Sequence, residues 1–235
     1  MDSVSVILPT YNERHNIGPL IEAVLEALPQ AEVIVVDDDS PDLTWQVVSG
    51  KAEDDSRVRL IRRTTERGLT SAIARGIAES RRPVVAWLDC DFAMPPQRLP
   101  DLLSPILAGQ ADIVIGTRYR PGGRDAGHSL TGRLFSQTIN RFASLLLGSE
   151  VTDWTSGFVV ARREVFRYVP LRGDYGEYCI DLLCRAQRAG FRVGEVPYVC
   201  ENRRSGESKT AAHGLGYLRR GWKYVVVILR LFLNR

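Results

Sequence analysis

A chain of 235 residues, 44% hydrophobic and 25% charged, has the make-up of one sizeable α/β domain or two small ones, which excludes disordered and low-complexity architectures. Its four cysteines (Cys90, Cys179, Cys184, Cys200) show no CxxC spacing, and His15, His128 and His213 lie far apart. That pattern predicts free, mostly buried thiols in a reducing compartment and argues against a zinc site.

The net charge of +3 conceals an asymmetry. From Arg203 onward eight Lys/Arg stand against one acid, Glu207, leaving a net −4 on the preceding 202 residues. An acidic body with a basic tail does not suit a general nucleic-acid binder; it predicts a tail that meets phosphates or acidic lipid. The N-terminus enters a strand without a charged-then-apolar leader, and no run reaches the roughly 18–20 apolar residues of a membrane span. The longest apolar run, Tyr224–Leu229, is broken by Arg230. The expectation is a chain that does not cross a membrane.

Val4–Leu8 reads as a strand, followed by a polar turn over Thr10–Arg14 and a helix on which Ile17, Leu20, Ile21, Val24, Leu25 and Leu28 recur. Val33–Val36 is a continuous apolar run, typical of a parallel strand buried on both faces. Val58–Ile61 and Val84–Leu88 repeat it, with a helix between them near Thr70–Ser80, and Ile113–Ile115 is a strand ended by Gly116. Pro121-Gly122-Gly123 opens a loop that runs to Gly132. A helix over Arg133–Leu147, a strand over Ser156–Ala161, a helix over Tyr178–Ala189 and a strand over Val193–Tyr198 follow. Strands separated by helical stretches mean βαβ units in a mainly parallel sheet, a Rossmann-like α/β fold.

In such a sheet ligands bind outside the carboxyl ends of the strands. The first strand runs into Pro9-Thr10-Tyr11-Asn12-Glu13, the second into Asp37-Asp38-Asp39-Ser40-Pro41-Asp42 and the fourth into Asp89-Cys90-Asp91. Asp and Asn also cap helices and favour turns, and Asp39 and Asp42 read equally well that way. Three acidic strand ends on one edge nevertheless repel one another unless cations or hydroxyls compensate. The Asp89-x-Asp91 pair can hold one hard cation, Mg2+ or Mn2+, with positions left for phosphate oxygens. Such an ion would neutralise a diphosphate leaving group. A lone DxD is weak; one that follows a Val/Trp/Leu strand and lies downstream of VDDDS is much stronger.

The segments Val6-Ile7-Leu8-Pro9-Thr10-Tyr11-Asn12-Glu13, Val35-Val36-Asp37-Asp38-Asp39-Ser40-Pro41-Asp42 and Gly68-Leu69-Thr70-Ser71-Ala72 resemble the inverting family 2 glycosyltransferases. So do Asp89-Cys90-Asp91, Gly116-Thr117-Arg118-Tyr119, Thr155-Ser156-Gly157-Phe158 and Gly206-Glu207-Ser208-Lys209. Within that family the pattern is most similar to the dolichol-phosphate (polyprenyl-phosphate) mannose synthases, in order from about residue 4 to 210. The resemblance implies a GT-A fold and transfer of mannose from GDP-mannose to a polyprenyl phosphate with inversion. It divides the chain into a transferase domain over 1–210, with a nucleotide-sugar half (1–118) and an acceptor half (119–210), and an amphipathic helix over 211–235. By position it implies nucleoside contacts at Pro9, Tyr11, Glu13, Val36 and Asp38. Asp89, Cys90 (through its backbone) and Asp91 would face the diphosphate, with Asp91 the direct metal ligand. Arg118, Arg203 and Lys209 would gather phosphates, and Arg133 and Ser136 would join Arg118 on the acceptor phosphate.

Three positions depart from the family pattern. Ala93 stands where a Gln would join the metal shell, Tyr178-Cys179-Ile180-Asp181 replaces an aromatic-Gln-x-Glu motif, and Gly132 occupies the place of an acceptor-helix Arg, with Arg133 beside it. They leave room for a UDP-sugar donor, a polysaccharide acceptor, or a non-catalytic sugar-nucleotide-binding relative. A nucleotidyltransferase would carry a Gly-rich loop with Lys after the first strand, and a dinucleotide enzyme a GxGxxG; PTYNE is neither. At the C-terminus, Leu215, Leu218, Trp222, Val225, Val226, Leu229, Phe232 and Leu233 form a helical stripe bordered by Arg219, Arg220, Lys223 and Arg230. Such a helix either lies in a membrane interface or packs on the chain's own core or a second subunit. The expected setting is the cytoplasmic face of a membrane, with room for a separate membrane-anchor subunit.

Overall fold

A computed structural model describes residues 4–148, 151–205 and 215–234; for 215–220 it describes the backbone alone. The chain runs β1 (Val4–Thr10), α1 (Arg14–Ala27), β2 (Glu32–Asp37), α2 (Thr44–Asp54), β3 (Val58–Arg62), α3 (Leu69–Glu79), β4 (Val84–Trp87), α4 (Leu99–Leu107) and β5 (Ile113–Thr117). There follow β6 (Arg124–Asp125), α5 (Leu130–Leu147), β7 (Val159–Arg162), α6 (Val165–Tyr168), α7 (Tyr178–Arg188), β8 (Val193–Pro197), β9 (Val199–Cys200) and α8 (Leu215–Leu233).

Seven strands form one sheet in the order β3-β2-β1-β4-β7-β5-β8. All pairs are parallel except those of β7, which lies antiparallel between β4 and β5. The continuous apolar strands supply both faces, because successive residues point to opposite sides. Val6, Leu8, Val33 and Val35 pack under α1 and α4 with Ile17, Leu20 and Leu102. Ile7, Ile34 and Val36 pack on the other face with Ile73 of α3, Ile180 and Leu183 of α7, and Ile228 and Leu231 of α8. A second, two-stranded sheet pairs β6 with β9.

The parallel frame follows the sequence reading, with strand ends shifted by a residue or two. Gly116 does not end its strand but lies inside β5. A Cβ there would sit 2.9 Å from both the Phe158 and Tyr198 rings, so the glycine serves packing. The strand expected from Ser156 begins only at Val159. The helix expected from Arg133 starts at Leu130, where the Ser129 hydroxyl accepts the Gly132 N–H, a capping signal present in the sequence.

Two helical glycines give opposite expectations. Gly76 on α3 faces β1 so closely that a methyl group would run into the Ile7 side chain, whereas Gly50 on α2 has nothing near its Cβ position. Gly50→Ala should raise stability by about 0.5–1 kcal/mol through backbone entropy. Gly76→Ala should lower it by about 1–3 kcal/mol, because overpacking against Ile7 outweighs the same helix gain. Urea unfolding of the two variants should show midpoint shifts of opposite sign.

Candidate functional site

β1 and β4 are neighbours at the centre of the sheet, and the strands that follow them in sequence lie on opposite sides. The chain reverses direction between them, and a crevice opens outside their carboxyl ends. Two cavities fill it. One, of about 430 Å³, is lined by Pro9, Tyr11, Glu13, Asp38, Arg67 and Cys90 among others. The other, of about 240 Å³, is lined by Asp91, Ala93, Arg118, His128, Ser136 and Cys179 among others. Leu69, Asp89, Tyr175 and Arg203 line both.

The carboxylates that cluster in the sequence have separate tasks. Asp37 is fully buried and accepts hydrogen bonds from the Thr10 hydroxyl (2.8 Å), the Ser40 N–H (2.9 Å) and the Ser40 hydroxyl (2.6 Å), tying the ends of β1 and β2 together. Asp38 lines the larger cavity with both oxygens engaged. Oδ1 accepts from Arg63 Nε at 2.7 Å and Oδ2 from the Gly68 N–H at 2.7 Å. Arg63 is itself buried, and the sequence reading missed it, since nothing local distinguishes it from Arg62. Asp39 pairs with Arg62 at the surface, and Asp42 caps Thr44 (N–H···O 3.0 Å), as turn residues do. Val36, expected at the nucleoside, points into the core and lines neither cavity; Asp38 takes that place.

At the Asp89–Asp91 corner, Asp91 Oδ1 accepts the Ala93 N–H at 2.9 Å and Oδ2 lies 3.0 Å from Arg203 Nη2. Arg203 Nη1 donates to Glu13 Oε1 at 3.0 Å, so one guanidinium bridges the first and fourth strand ends. Burial opposes its charge, but Asp91 and Glu13 outweigh that and raise its pKa. The segment 201–205 is zipped onto the same corner. Glu201 N–H donates to the Ala93 carbonyl (3.0 Å), Arg204 N–H to the Asp91 carbonyl (2.9 Å) and the Ser205 hydroxyl to Asn16 Oδ1 (2.6 Å). Two carboxylates beside a position that already holds a cationic guanidinium are a donor set that fits a hard divalent ion. Ala93 brings a methyl group and backbone to this wall, and no ligand atom from its side chain. Lys209, with Gly206, Glu207 and Ser208, lies outside the described residues.

Four non-glycine residues among those described have left-handed backbones: Asn12 (φ 56°), Asp39 (φ 54°), Leu43 (φ 66°) and Phe92 (φ 68°). Three of them directly follow cavity residues, namely Tyr11, Asp38 and Asp91. Asn and Asp tolerate that region; for Phe92 it costs on the order of 1–3 kcal/mol. Backbone strain of this kind clusters where side chains must be aimed.

On the smaller cavity, Arg118 is buried and bound side-on to Asp153, with Nε 2.8 Å and Nη2 2.7 Å from its oxygens. It also reaches Thr155 at 2.9 Å, and Ser136 and Asp125 at 3.3 Å. Desolvation opposes its charge, yet Asp153 holds its pKa well above the usual value. Ser136 stands beside it, also hydrogen-bonded by the Tyr119 hydroxyl at 2.9 Å. Arg133 does not line the cavity. Its Nη1 turns to the Asp125 carbonyl at 3.4 Å, and Gly132 and Ser136 present the α5 wall instead. Cys179 donates to the Ser156 carbonyl at 2.8 Å, and burial pushes its thiol pKa up. Asp181 is drawn away to Arg185. His128 reaches this wall beside Asp125 and Cys200, although 72 residues separate it from that cysteine in the sequence. The hydrogen bond to Asp125, with Cys200 beside the ring, pushes its pKa up to about 10.

Removing one partner of a buried ion pair strands the other charge. Asp153→Ala should therefore cost about 3–5 kcal/mol by leaving Arg118 with only its looser contact to Asp125. The double variant Arg118→Met/Asp153→Ala should recover part of that loss in urea unfolding, since the carboxylate that stays buried, Asp125, keeps His128 as its partner.

The sequence signature described as "Glycosyl transferase family 2" matches residues 5–169. The polyprenol monophosphomannose synthase of Mycolicibacterium smegmatis is 38% identical over 217 residues, covering 89% of this chain and 82% of that protein. The dolichol-phosphate mannosyltransferase of Pyrococcus furiosus is also 38% identical, covering 88% of this chain and 58% of its own. The undecaprenyl-phosphate mannosyltransferase of Micrococcus luteus is 33% identical over 91% of this chain and 89% of its own. Among solved structures, glucosyl-3-phosphoglycerate synthase from Mycobacterium tuberculosis, in complex with Mn2+, UDP and glucosyl-3-phosphoglycerate, superposes with a TM-score of 0.74 at 21% identity. It covers 97% of this chain and 79% of that one; at that identity the likeness shows the fold.

Proposed function

The chain belongs to glycosyl transferase family 2 and is a glycosyltransferase of GT-A fold, and from that premise we propose that it transfers mannose from GDP-mannose to a dolichyl or polyprenyl phosphate, with inversion and with a divalent cation. The observation that carries this reading is the shared wall: Asp89 and Arg203 line both cavities. A donor diphosphate and an acceptor phosphate would meet there, while a nucleoside and a lipid phosphate occupy separate spaces. Three relatives named for mannose transfer to a prenol or its phosphate support the substrate class.

The nucleoside enters the larger cavity against Pro9 and Tyr11, with Asp38 held in place by Arg63 and Gly68. Asp89 and Asp91 would hold Mg2+ or Mn2+, which supplies Lewis-acid neutralisation of the leaving diphosphate. Phosphates compete with Glu13 and Asp91 for the Arg203 guanidinium, and Arg binds phosphate bidentately. Lys209 joins them on the family pattern. The acceptor phosphate lies in the smaller cavity by Ser136 and Arg118. It is already anionic at neutral pH, so its oxygen attacks the anomeric carbon without a protein base, the C–O bond to the diphosphate breaks, and GDP leaves from the opposite face. What the site supplies is cationic compensation between two anions.

The lipid acceptor places the enzyme at a bilayer. Among the described residues no helix is long and apolar enough to cross one. On α8, Ile228 and Leu231 are buried in the core while Trp222, Val226, Leu229 and Leu233 are exposed at helical spacing. Of the expected stripe, Val225 packs partly against the core and the other members whose side chains are described are exposed, while Ile228 and Leu231 lie outside it. Leu130, Leu134 and Leu145 of the adjoining α5 are exposed as well. Arg230 lies exposed on α8, and Lys223 lies partly so. This face fits peripheral binding to an anionic membrane on the cytoplasmic side, where free cysteines such as these four persist. A membrane-anchor subunit would cover the same face.

A panel of GDP- and UDP-sugars, each with and without a short polyprenyl phosphate and Mg2+ or Mn2+, tests the reading. GDP should be released from GDP-mannose only when the lipid phosphate is present, and Asp91→Asn should lower turnover by about 10²–10³-fold. If no nucleotide sugar is turned over with any lipid phosphate, the proposal fails; turnover of a UDP-sugar alone would move it to the other donor class. Separately, Trp222→Ser/Leu229→Ser/Leu233→Ser should reduce co-sedimentation with anionic vesicles, and unchanged sedimentation would rule out the α8 face.

A further inference from the structure

The β6–β9 ribbon pairs two residues with two, a length with little stability of its own in water. It sets Asp125 directly opposite Cys200. The following turn then brings His128 back over both, with Nδ1 2.9 Å from Asp125 Oδ1 and the ring beside the Cys200 thiol. The backbone is shaped for this approach. Ala126 N–H donates to the Cys200 carbonyl at 2.9 Å, and Gly127 lies so close to Glu201 that a Cβ would collide with its carbonyl. One carboxylate, one imidazole and one thiol thereby come within 4.8 Å of one another.

We propose that Asp125, His128 and Cys200 form a binding site for a divalent cation of the zinc type, separate from the Asp89–Asp91 pair. The donor set is what zinc takes, and the thiolate disfavours Mg2+ and Mn2+, which prefer all-oxygen surroundings. The carboxylate and the thiolate together balance a double positive charge. Asp125 and Cys200 are buried while His128 is exposed, so an ion can enter from the cavity that His128 and Cys200 line. Arg118 is the nearest competitor for Asp125, but its contact there is loose at 3.3 Å, against 2.7 and 2.8 Å to Asp153. Asp125 can therefore turn to a metal without unpairing Arg118. The protons on Cys200 and His128 leave to solvent as the ion enters. An ion held here cross-links β6, the turn into α5 and β9, the segments that carry Ser136 and Arg203 to the site.

The test uses the whole chain, stripped with a chelator, equilibrated with Zn2+ in excess Mg2+, and desalted. About one zinc per chain should remain in the wild type and in Asp91→Asn, falling to below about a tenth of that in Cys200→Ser and His128→Ala. Co2+ in place of Zn2+ should give a thiolate-to-cobalt charge-transfer band in the wild type. Absence of that band, or zinc retention undiminished by Cys200→Ser, would overturn the site. The cobalt spectrum is read on the wild type, so a poorly folded variant does not spare the proposal. Zinc binding without sugar transfer would count against the transferase reading alone.

Discussion

Negative charge gathered at the carboxyl edge of the sheet has to be compensated before anything can bind there, and arginines from distant segments do so. Arg63 grips Asp38, Arg203 bridges Glu13 and Asp91, and Arg118 lies side-on to Asp153 with Asp125 beyond. Each pair is wholly or partly buried, where an unpaired charge costs several kcal/mol. Glu13, Asp38 and Asp91 are thus each met by a guanidinium, while Asp37 is met by the Thr10 and Ser40 hydroxyls. The rest of the site is arranged around those reaches.

The same arrangement prepares the edge for phosphate. A guanidinium already taken out of water by a carboxylate gives up less hydration when a phosphate replaces that carboxylate than a solvated one would. Arg203 is the partly exposed member of the three, at 22% against 3% for Arg63 and 7% for Arg118. It also stands where the two cavities meet. It is thus the guanidinium best able to exchange partners, while Arg63 and Arg118 hold the walls fixed.

The parallel frame was legible because continuous apolar strands and helical spacing are local signals. The carboxylate-bearing strand ends were legible because the frame fixes which end of each strand carries ligands. What escaped was long-range. Arg63 meets Asp38 across 25 residues and Arg203 meets Glu13 across 190, distances at which no periodicity operates. The insertion of β7 between β4 and β5 reverses one strand without a sequence mark, since its short apolar run fits either direction. The family resemblance puts Arg133 on the acceptor, but a helix residue one step off turns its side chain about 100° away, and Gly132 lines the wall. The meeting of His128 with Cys200 depends on a two-residue pairing and on the small size of Gly127, neither of which spacing reveals.

The expected division of the chain at about residue 210 is not a mechanical boundary on the α8 side. Ile228 and Leu231 complete the core under the sheet, and Arg188 of α7 donates to the carbonyls of Leu231 (2.6 Å) and Asn234 (3.1 Å) at the end of α8. Lys223 pairs with Asp174, and Tyr224 packs so closely on Gly176 that no Cβ would fit there. Between those two contacts lies Tyr175, which lines both cavities. β7 of the acceptor half likewise lies between β4 and β5 of the donor half in one sheet. A displacement of α8 therefore reaches the wall shared by the cavities through two contacts, and the exposed stripe proposed to meet the membrane is on the same helix. On that reading the lipid surface and the reacting phosphates are joined by packing.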